Sequence, residues 1–466
     1  MRAQPSATFA LLGAIALALT ACSVGSSPSA GLPGAPQSRS GSSSPIQHVV
    51  LVVQENRTFN DFFATYPGSD GTATGWAEAN PYCSPPIPHR MKIALTKSNL
   101  LVPTDMNHSY KSGYSVAFDG GKMDGYDLIR YGGTGPYECT YPYQYTDPSQ
   151  IQPYWDMAQQ YTLAEHMFTT QGSDSFTAHQ DIIAGATVVK TGEAMVDLPG
   201  CSGCYWGCDA PPATRTHLIT RDNAYLHRLG PFPCTTKFSV PYPTLRDLLD
   251  AKGVSWKYYL PPPSTNFGKL LNAYDVVWAV RNGSEWGTNV NWPETNIFGD
   301  ISNGTLPAVS WVIPEENNSD HPGTSADDGP QWVASVVNAI GESSYWSSTA
   351  IVIVWDDWGG LYDNLGKLSK KYGYGGLGTR VPAIVISPYA RAGYISKTHY
   401  EFGSILKYAE QNWDLGSLHT SDQRATSLID CFDYSQSPIE FKQIPSSYDK
   451  RHFLREQHPP GVLEAD

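Results

Sequence analysis

The 466-residue sequence predicts an α/β fold, a sheet of largely parallel strands with helices on both faces. Two observations carry that prediction. Short β-branched runs are separated by stretches of helical apolar spacing, which argues against an all-β sandwich. The runs are also apolar throughout rather than alternating, as expected where helices cover both sides of a sheet and no strand has a solvent face.

The elements follow in chain order. His48 to Val53 (HVVLVV) reads as the first buried strand. Thr244 to Lys252 has the apolar spacing of a helix, opens on a good N-cap and stops at Gly253; Val254 to Tyr259 then reads as a strand. Further strands are expected at Ala308 to Ile313, Ala350 to Trp355 and Val381 to Ser387, with helices from about Gln331 to Ile340 and Gly403 to Trp413. Two long stretches, 191–242 and 261–306, lack periodicity and are expected to be loop insertions shaping a rim, since loops of that length are uncommon unless functional or stapled.

The N-terminus carries one basic residue, Arg2, an apolar stretch from Phe9 to Leu19, and then Leu-Thr-Ala-Cys ending at Cys22. This is the pattern of a lipoprotein signal, too short for a comfortable membrane span. The expectation is a signal peptide over 1–21, lipidation at Cys22, export to the cell envelope and anchoring to a membrane, with plain secretion as the alternative. Residues 22–45 are rich in Ser, Gly and Pro and read as a flexible tether, so the folded domain is expected over 46–466.

The net charge of −13 argues against a nucleic-acid partner, because such affinity comes mainly from Lys and Arg neutralising phosphates. After Cys22, seven cysteines remain. Cys201, Cys204, Cys208 and Cys234 could form a four-thiolate zinc site, but an exported location and a Pro- and Gly-rich context favour disulfides. The odd count leaves one thiol over.

In an open α/β sheet, ligands bind beyond the carboxyl ends of the strands. Two strand ends here are unusually polar: Gln54, Glu55, Asn56 and Arg57 follow the first strand, and Asp356 and Asp357 follow the strand ending at Trp355. Three carboxylates and a carboxamide brought together would repel one another unless a cation neutralised them, so a metal site is the economical reading. Either motif alone reads equally well as a surface turn or a strand cap.

With these residues in view, the sequence resembles the bacterial phosphoesterase family that includes phosphocholine-type phospholipases C and an acid phosphatase. The resemblance rests on HVVLVVQENRTF at 48–59, SDHP at 319–322, and WDDWGG at 355–360 followed by Tyr362 and Asp363. It implies a three-layer sandwich around a mixed, largely parallel sheet, the alkaline phosphatase-like fold. It further implies Glu55, Asn56, Asp356 and Asp357 as metal ligands and Ser175 as nucleophile, with Ser173 and Thr177 close enough in sequence to compete. A helix after Ser175 would turn its free N–H groups toward a phosphate, although a plain helix cap would favour a serine there equally.

By the same resemblance His321 is the candidate general acid and His108 a second residue of the phosphate pocket. His179, one helical turn past Ser175, is a candidate phosphate ligand. Trp358 stands where many family members carry His, and a rim tryptophan could instead pack a quaternary ammonium headgroup. The cofactor is expected to be a divalent cation: oxygen ligands suit Mg, Ca or Mn, with Zn and Fe still open. The expected activity is phospholipase C hydrolysis of a phosphodiester, a phospholipid being one such phosphate ester. The alternatives are acid phosphatase action on a monoester and an inactive binding protein of the same fold.

Overall fold

The computed structural model describes residues 44–200, 206–365 and 372–456. The expected leader, Cys22, nearly all of the expected tether, Cys201 and Cys204 lie outside the described residues. Eight strands form the central sheet: β1 His48–Gln54, β2 Thr162–Ala164, β3 Trp256–Tyr259, β4 Val290–Asn291, β5 Val309–Val312, β6 Thr349–Trp355, β7 Ala383–Ile386 and β8 Tyr394–Ser396. Their order across the sheet is β4-β3-β5-β1-β6-β7-β2-β8. All pairings are parallel except those of β7 with β6 and β2, so β7 alone runs against the rest.

The strands at the middle of the sheet are buried along nearly their whole length, as a sheet covered on both faces requires. Two separate groups of helices cover it. Helix α1 (Gln152–Gln160) packs against α4 (Gly329–Gly341), while α2 (Ser175–Ala184) packs against α3 (Leu245–Ala251) and α5 (Phe402–Trp413). Their ends follow local chemistry. A capping box between Thr244 and Asp247 starts α3, and α2 stops at Gly185, whose φ of 65° suits a residue without a Cβ.

The predicted strands at 48–53, 308–313 and 350–355 appear within a residue of their expected bounds, as do the helices at 244–252 and 403–413. The stretch Val381 to Ser387 is not one strand. Arg380–Val381 pairs with Met167–Phe168 in a second sheet, Pro382 interrupts, and β7 joins the central sheet. Proline has no N–H to give a ladder, so the chain changes sheets there.

The two expected loop insertions are largely structured. Val188–Lys190, Glu193–Gly200, Arg215–Thr220 and Tyr225–Leu226 form a four-stranded antiparallel sheet. The stretch 261–306 holds β4 and a helix at Asn296–Asn303. Cys208 and Cys234 are disulfide-bonded to each other, which removes both from any zinc site, and Cys83 bonds Cys139. Among the described residues one cysteine is free, Cys431, which is buried. Among the described residues no helix is long and apolar enough to cross a membrane.

Candidate active site

The register of the central strands assembles the site. Gln54 on β1 lies opposite Trp355 on β6, so the two strands end level and the residues after them emerge side by side. Asn56 takes a left-handed φ of 57°, a conformation that asparagine tolerates better than most residues. Its backbone N–H donates to Asp356 Oδ1 at 3.0 Å, and the Asp357 N–H donates to the same oxygen at 2.6 Å. Gly359 is required beside them: a Cβ there would stand 2.4 Å from the Asn56 carbonyl oxygen.

Ser175 is the first residue of α2 and is fully buried. Its hydroxyl lies 3.0 Å from Asp357 Oδ2 and 3.2 Å from Asn56 Oδ1. One hydroxyl proton serves both acceptors, so the serine is held between the two strand ends. One turn along the same helix, His179 Nε2 lies 3.0 Å from Glu55 Oε1 and 3.7 Å from Asp356 Oδ2.

Two further histidines converge on Asn56. His108 Nε2 and His321 Nε2 lie 3.3 Å and 3.1 Å from its Nδ2. Each ring sets its Nδ1 against a backbone carbonyl, Met106 O for His108 and Pro322 O for His321. An Nδ1 facing a carbonyl must carry the proton, so each Nε2 turns inward as an acceptor. The two amide protons of Asn56 then serve the two imidazoles, and its Oδ1 faces Ser175. This hydrogen-bond pattern fixes the side-chain orientation.

The SDHP segment reaches β1 through several bonds. The Glu55 N–H donates to Ser319 O, and the buried Arg57 donates to the Asp320 carbonyl at 2.8 Å. Arg57 also pairs with Asp61 and donates to Leu100 O. Asp320 Oδ2 in turn accepts from Tyr154 and Trp355. Burial pushes the Asp320 carboxyl up to about 7, with Tyr154 and Arg57 pulling the other way.

The carboxylates are under electrostatic strain. Burial, and after it the charge of Glu55, pushes Asp356 up to about 8, the expected behaviour of like charges sharing a low-dielectric site. Asp356 Oδ2 is buried and accepts no hydrogen bond. His179 adds to the argument. The Tyr258 hydroxyl donates to Leu271 O at 2.7 Å, so at its 3.3 Å contact with His179 Nδ1 it acts as the acceptor. That leaves Nε2 facing the Glu55 carboxylate, and a proton or a cation must stand between them. Glu55, His179 and Asp356 can bring one ligand atom each within 4.8 Å of one another. A divalent cation fits this donor set of hard oxygens and one imidazole.

The structure thus brings together Glu55, Asn56, Asp356, Asp357, Ser175, His108, His179 and His321. His179, the candidate phosphate ligand, stands among the carboxylates, next to Glu55 and Asp356. Ser173, the nearest competitor of Ser175, is turned away: its hydroxyl bonds Asp197 Oδ1 at 3.2 Å and accepts from the Asp197 N–H at 2.8 Å. Thr177 donates to Asp174 O within the helix turn.

Trp358 is a correction. It is not at a rim: its side chain is fully buried, edge-on to Tyr114 and Tyr126, and its indole N–H donates to His108 O at 3.0 Å. With no exposed face it cannot pack a headgroup, and it serves to seat His108. Sequence reasoning missed Tyr258 and Asp197. Tyr258 sits in a predicted strand with nothing in the sequence to distinguish it, and Asp197 lies in a stretch read as loop.

The Phosphoesterase family model matches residues 46–416. A non-hemolytic phospholipase C of Burkholderia pseudomallei is 28% identical over 257 residues, covering 46% of this chain and 36% of that protein. A non-hemolytic phospholipase C of Pseudomonas aeruginosa is 22% identical over 457 residues, 88% of this chain and 60% of the relative. Phospholipase C A of Mycobacterium tuberculosis is 26% identical over 411 residues, 78% of this chain and 72% of the relative. The chain therefore spans under two thirds of the length of the first two. Among solved structures, the lipoteichoic acid synthase LtaP of Listeria monocytogenes matches at TM-score 0.35 and 9% identity, over 80% of this chain and 73% of that one.

Proposed function

The chain belongs to the phosphoesterase family, and from that premise we propose that it hydrolyses phosphate esters, with phospholipid-type phosphodiesters as substrates and Ser175 as nucleophile. The observation that carries this reading is the Ser175 hydroxyl, held at 3.0 Å from Asp357 and 3.2 Å from Asn56 at the first turn of α2. The relatives named phospholipase C support the diester over the monoester.

Ser175 Oγ attacks phosphorus as its proton passes to Asp357. The Ser175 O–P bond forms and the bond to the leaving alcohol breaks. The Nε2 atoms of His321 and His108 accept from Asn56 in the resting site, so the general acid is the imidazolium form of one of them, which carries a second ring proton at Nε2 and gives it to the leaving oxygen. Water then attacks phosphorus of the seryl ester and gives its proton to the neutral imidazole, while the Ser175 O–P bond breaks and Asp357 returns the proton to Ser175 Oγ. The amide N–H groups at the start of α2 and its positive dipole end favour the phosphoryl charge. His321 is 7% exposed while Ser175, Asn56 and His108 are fully buried, which supports substrate entry on the His321 side.

Glu55, Asn56, Asp356, Asp357 and His179 are the residues that would hold a divalent cation. Such a cation supplies positive charge that favours the seryl alkoxide and offsets the charge on the phosphoryl oxygens. The leader ending at Cys22 supports export and a lipid anchor, which would keep the domain beside phospholipid.

The test is turnover of p-nitrophenylphosphorylcholine and p-nitrophenyl phosphate by metal-replete protein, with and without chelator. Faster turnover of the diester, abolished by chelator, is expected. Preference for the monoester would make the protein a phosphatase, and turnover of neither would leave a binding protein.

A further inference from the structure

A basic cluster stands on the four-stranded sheet that follows α2. Pairing of Leu218 with Leu226 in that sheet brings His217 beside His227, with ring centroids 4.6 Å apart. His217 is buried, at 8% exposure, and its Nδ1 lies 2.7 Å from the Tyr225 hydroxyl. The Lys111 ammonium stands 5.3 Å above the Tyr225 ring, and Arg228 lies against Gly200, where a Cβ would come within 2.4 Å of its Nε. Lys111, His227 and Arg228 are exposed. Burial, and after it the charges of His227, Arg228 and Lys111, push the His217 imidazole down to about 4, so all three reach the same ring.

Like charges gathered in this way repel one another and call for a counter-charge. In a chain with 31 Lys and Arg against 44 Asp and Glu, a basic group is expected to have an acidic neighbour. None of these four side chains is in an ion pair among the described residues. The Asp197 carboxylate, which the network does reach, is committed to the Tyr110 N–H, the Ser173 hydroxyl and the Tyr225 side chain. Through Asp197 and Tyr225 the cluster is joined to Ser173, two residues before Ser175, so it flanks the catalytic segment without using a catalytic group.

Charge selects the ligand. A cation is repelled, and a neutral molecule leaves the repulsion in place. A long polyanion is disfavoured by the net charge of −13. A carboxylate brings one charge and two oxygens, fewer than a guanidinium fork, an ammonium and two imidazoles can engage. A phosphate group brings up to two charges and three or more oxygens, and suits that donor set.

We propose that Lys111, His217, His227 and Arg228 form a second anion site, which binds a phosphate group, either free or on an anionic phospholipid headgroup, beside the Ser175 centre and separate from it. It does not depend on the phosphoesterase reading, since none of the four residues belongs to that centre.

The test is NMR of the full chain labelled with carbon-13 at histidine Cε1, titrated at constant pH with sodium phosphate and, at matched ionic strength, with sodium chloride. Loss of a signal in His217→Gln or His227→Gln assigns each resonance. Phosphate is expected to shift both saturably at millimolar concentration, and chloride to shift neither. Lys111→Met and Arg228→Gln should each weaken binding by about tenfold, the worth of one charge-assisted hydrogen bond, while Ser175→Ala leaves it unchanged. Both substitutions are at exposed positions, and circular dichroism establishes that the variants are folded. Sedimentation of the Ser175→Ala chain with vesicles of phosphatidylcholine, alone or mixed with phosphatidate, identifies the source of the phosphate. Retention that requires phosphatidate and is lost on Arg228→Gln assigns the site to a headgroup; no such retention, with the phosphate shifts present, assigns it to the free anion. No shift of either histidine, an equal shift with chloride, affinity unchanged in both variants, or binding lost in Ser175→Ala would each overturn the proposal.

Discussion

Within the six residues Gln54 to Phe59, Glu55 and Asn56 are the two whose side chains touch His179 and Ser175. Arg57 ties down the Asp320 turn, Thr58 caps the short helix Phe59–Phe63 and donates to Tyr362 O, and Phe59 is buried under Arg380. A recurring motif can thus be mostly scaffold. Asn56 is the residue on which most depends, because one amide serves Ser175 through Oδ1 and both imidazoles through Nδ2. Asn56→Asp keeps the acceptor and removes the two donors, at a left-handed position that Asp also tolerates. We expect kcat to fall on the order of 10²-fold, the cost of losing well-placed donors, with circular dichroism unchanged; an unaltered kcat would count against this role. The carboxylates and Ser175 were legible in the sequence from polar strand ends and from resemblance. The burial of Trp358 was not, because a tryptophan beside two glycines reads equally as rim or core until its neighbours are known.

The elements that support the site include one that periodicity did not reveal. The strand Glu193–Gly200 carries Asp197, Pro199 and Gly200, residues that disfavour strands, so the segment reads as loop. In the fold Asp197 sits at φ 57° with its carboxylate on Ser173 and on the Tyr110 N–H. It thereby links the segment before Ser175 to the segment after His108. Asp197→Gly keeps the backbone freedom and deletes the carboxylate, so kcat should drop about tenfold through misplacement of the nucleophile. Asp197→Asn keeps the acceptor and should retain most activity. Steady-state kinetics on the pair decides it: equal activities would show that the carboxylate positions nothing. The parallel core was legible because buried strands must be apolar throughout, whereas the break at Pro382 could be placed only once both of its sheets were known.

Across the whole molecule, buried carboxyls shape the response to pH. Burial raises Asp275 and Glu294 to about 8, and Glu315 and Glu410 to about 7. For each, the folded chain holds a proton that the unfolded chain has already released, between the ordinary value near 4 and the raised one. Stability therefore falls as pH rises through that window. The urea midpoint is expected to be lower at pH 8 than at pH 6.5, and Glu294→Gln should flatten the difference. A midpoint that rises over this range would contradict the assignment. The central claim, that Ser175 is the nucleophile, is tested most directly by mass spectrometry of acid-quenched protein during turnover of p-nitrophenylphosphorylcholine. A phosphorylcholine adduct on the peptide bearing Ser175, absent in Ser175→Ala, is the predicted result. An adduct on another residue, or full turnover by Ser175→Ala, would contradict it.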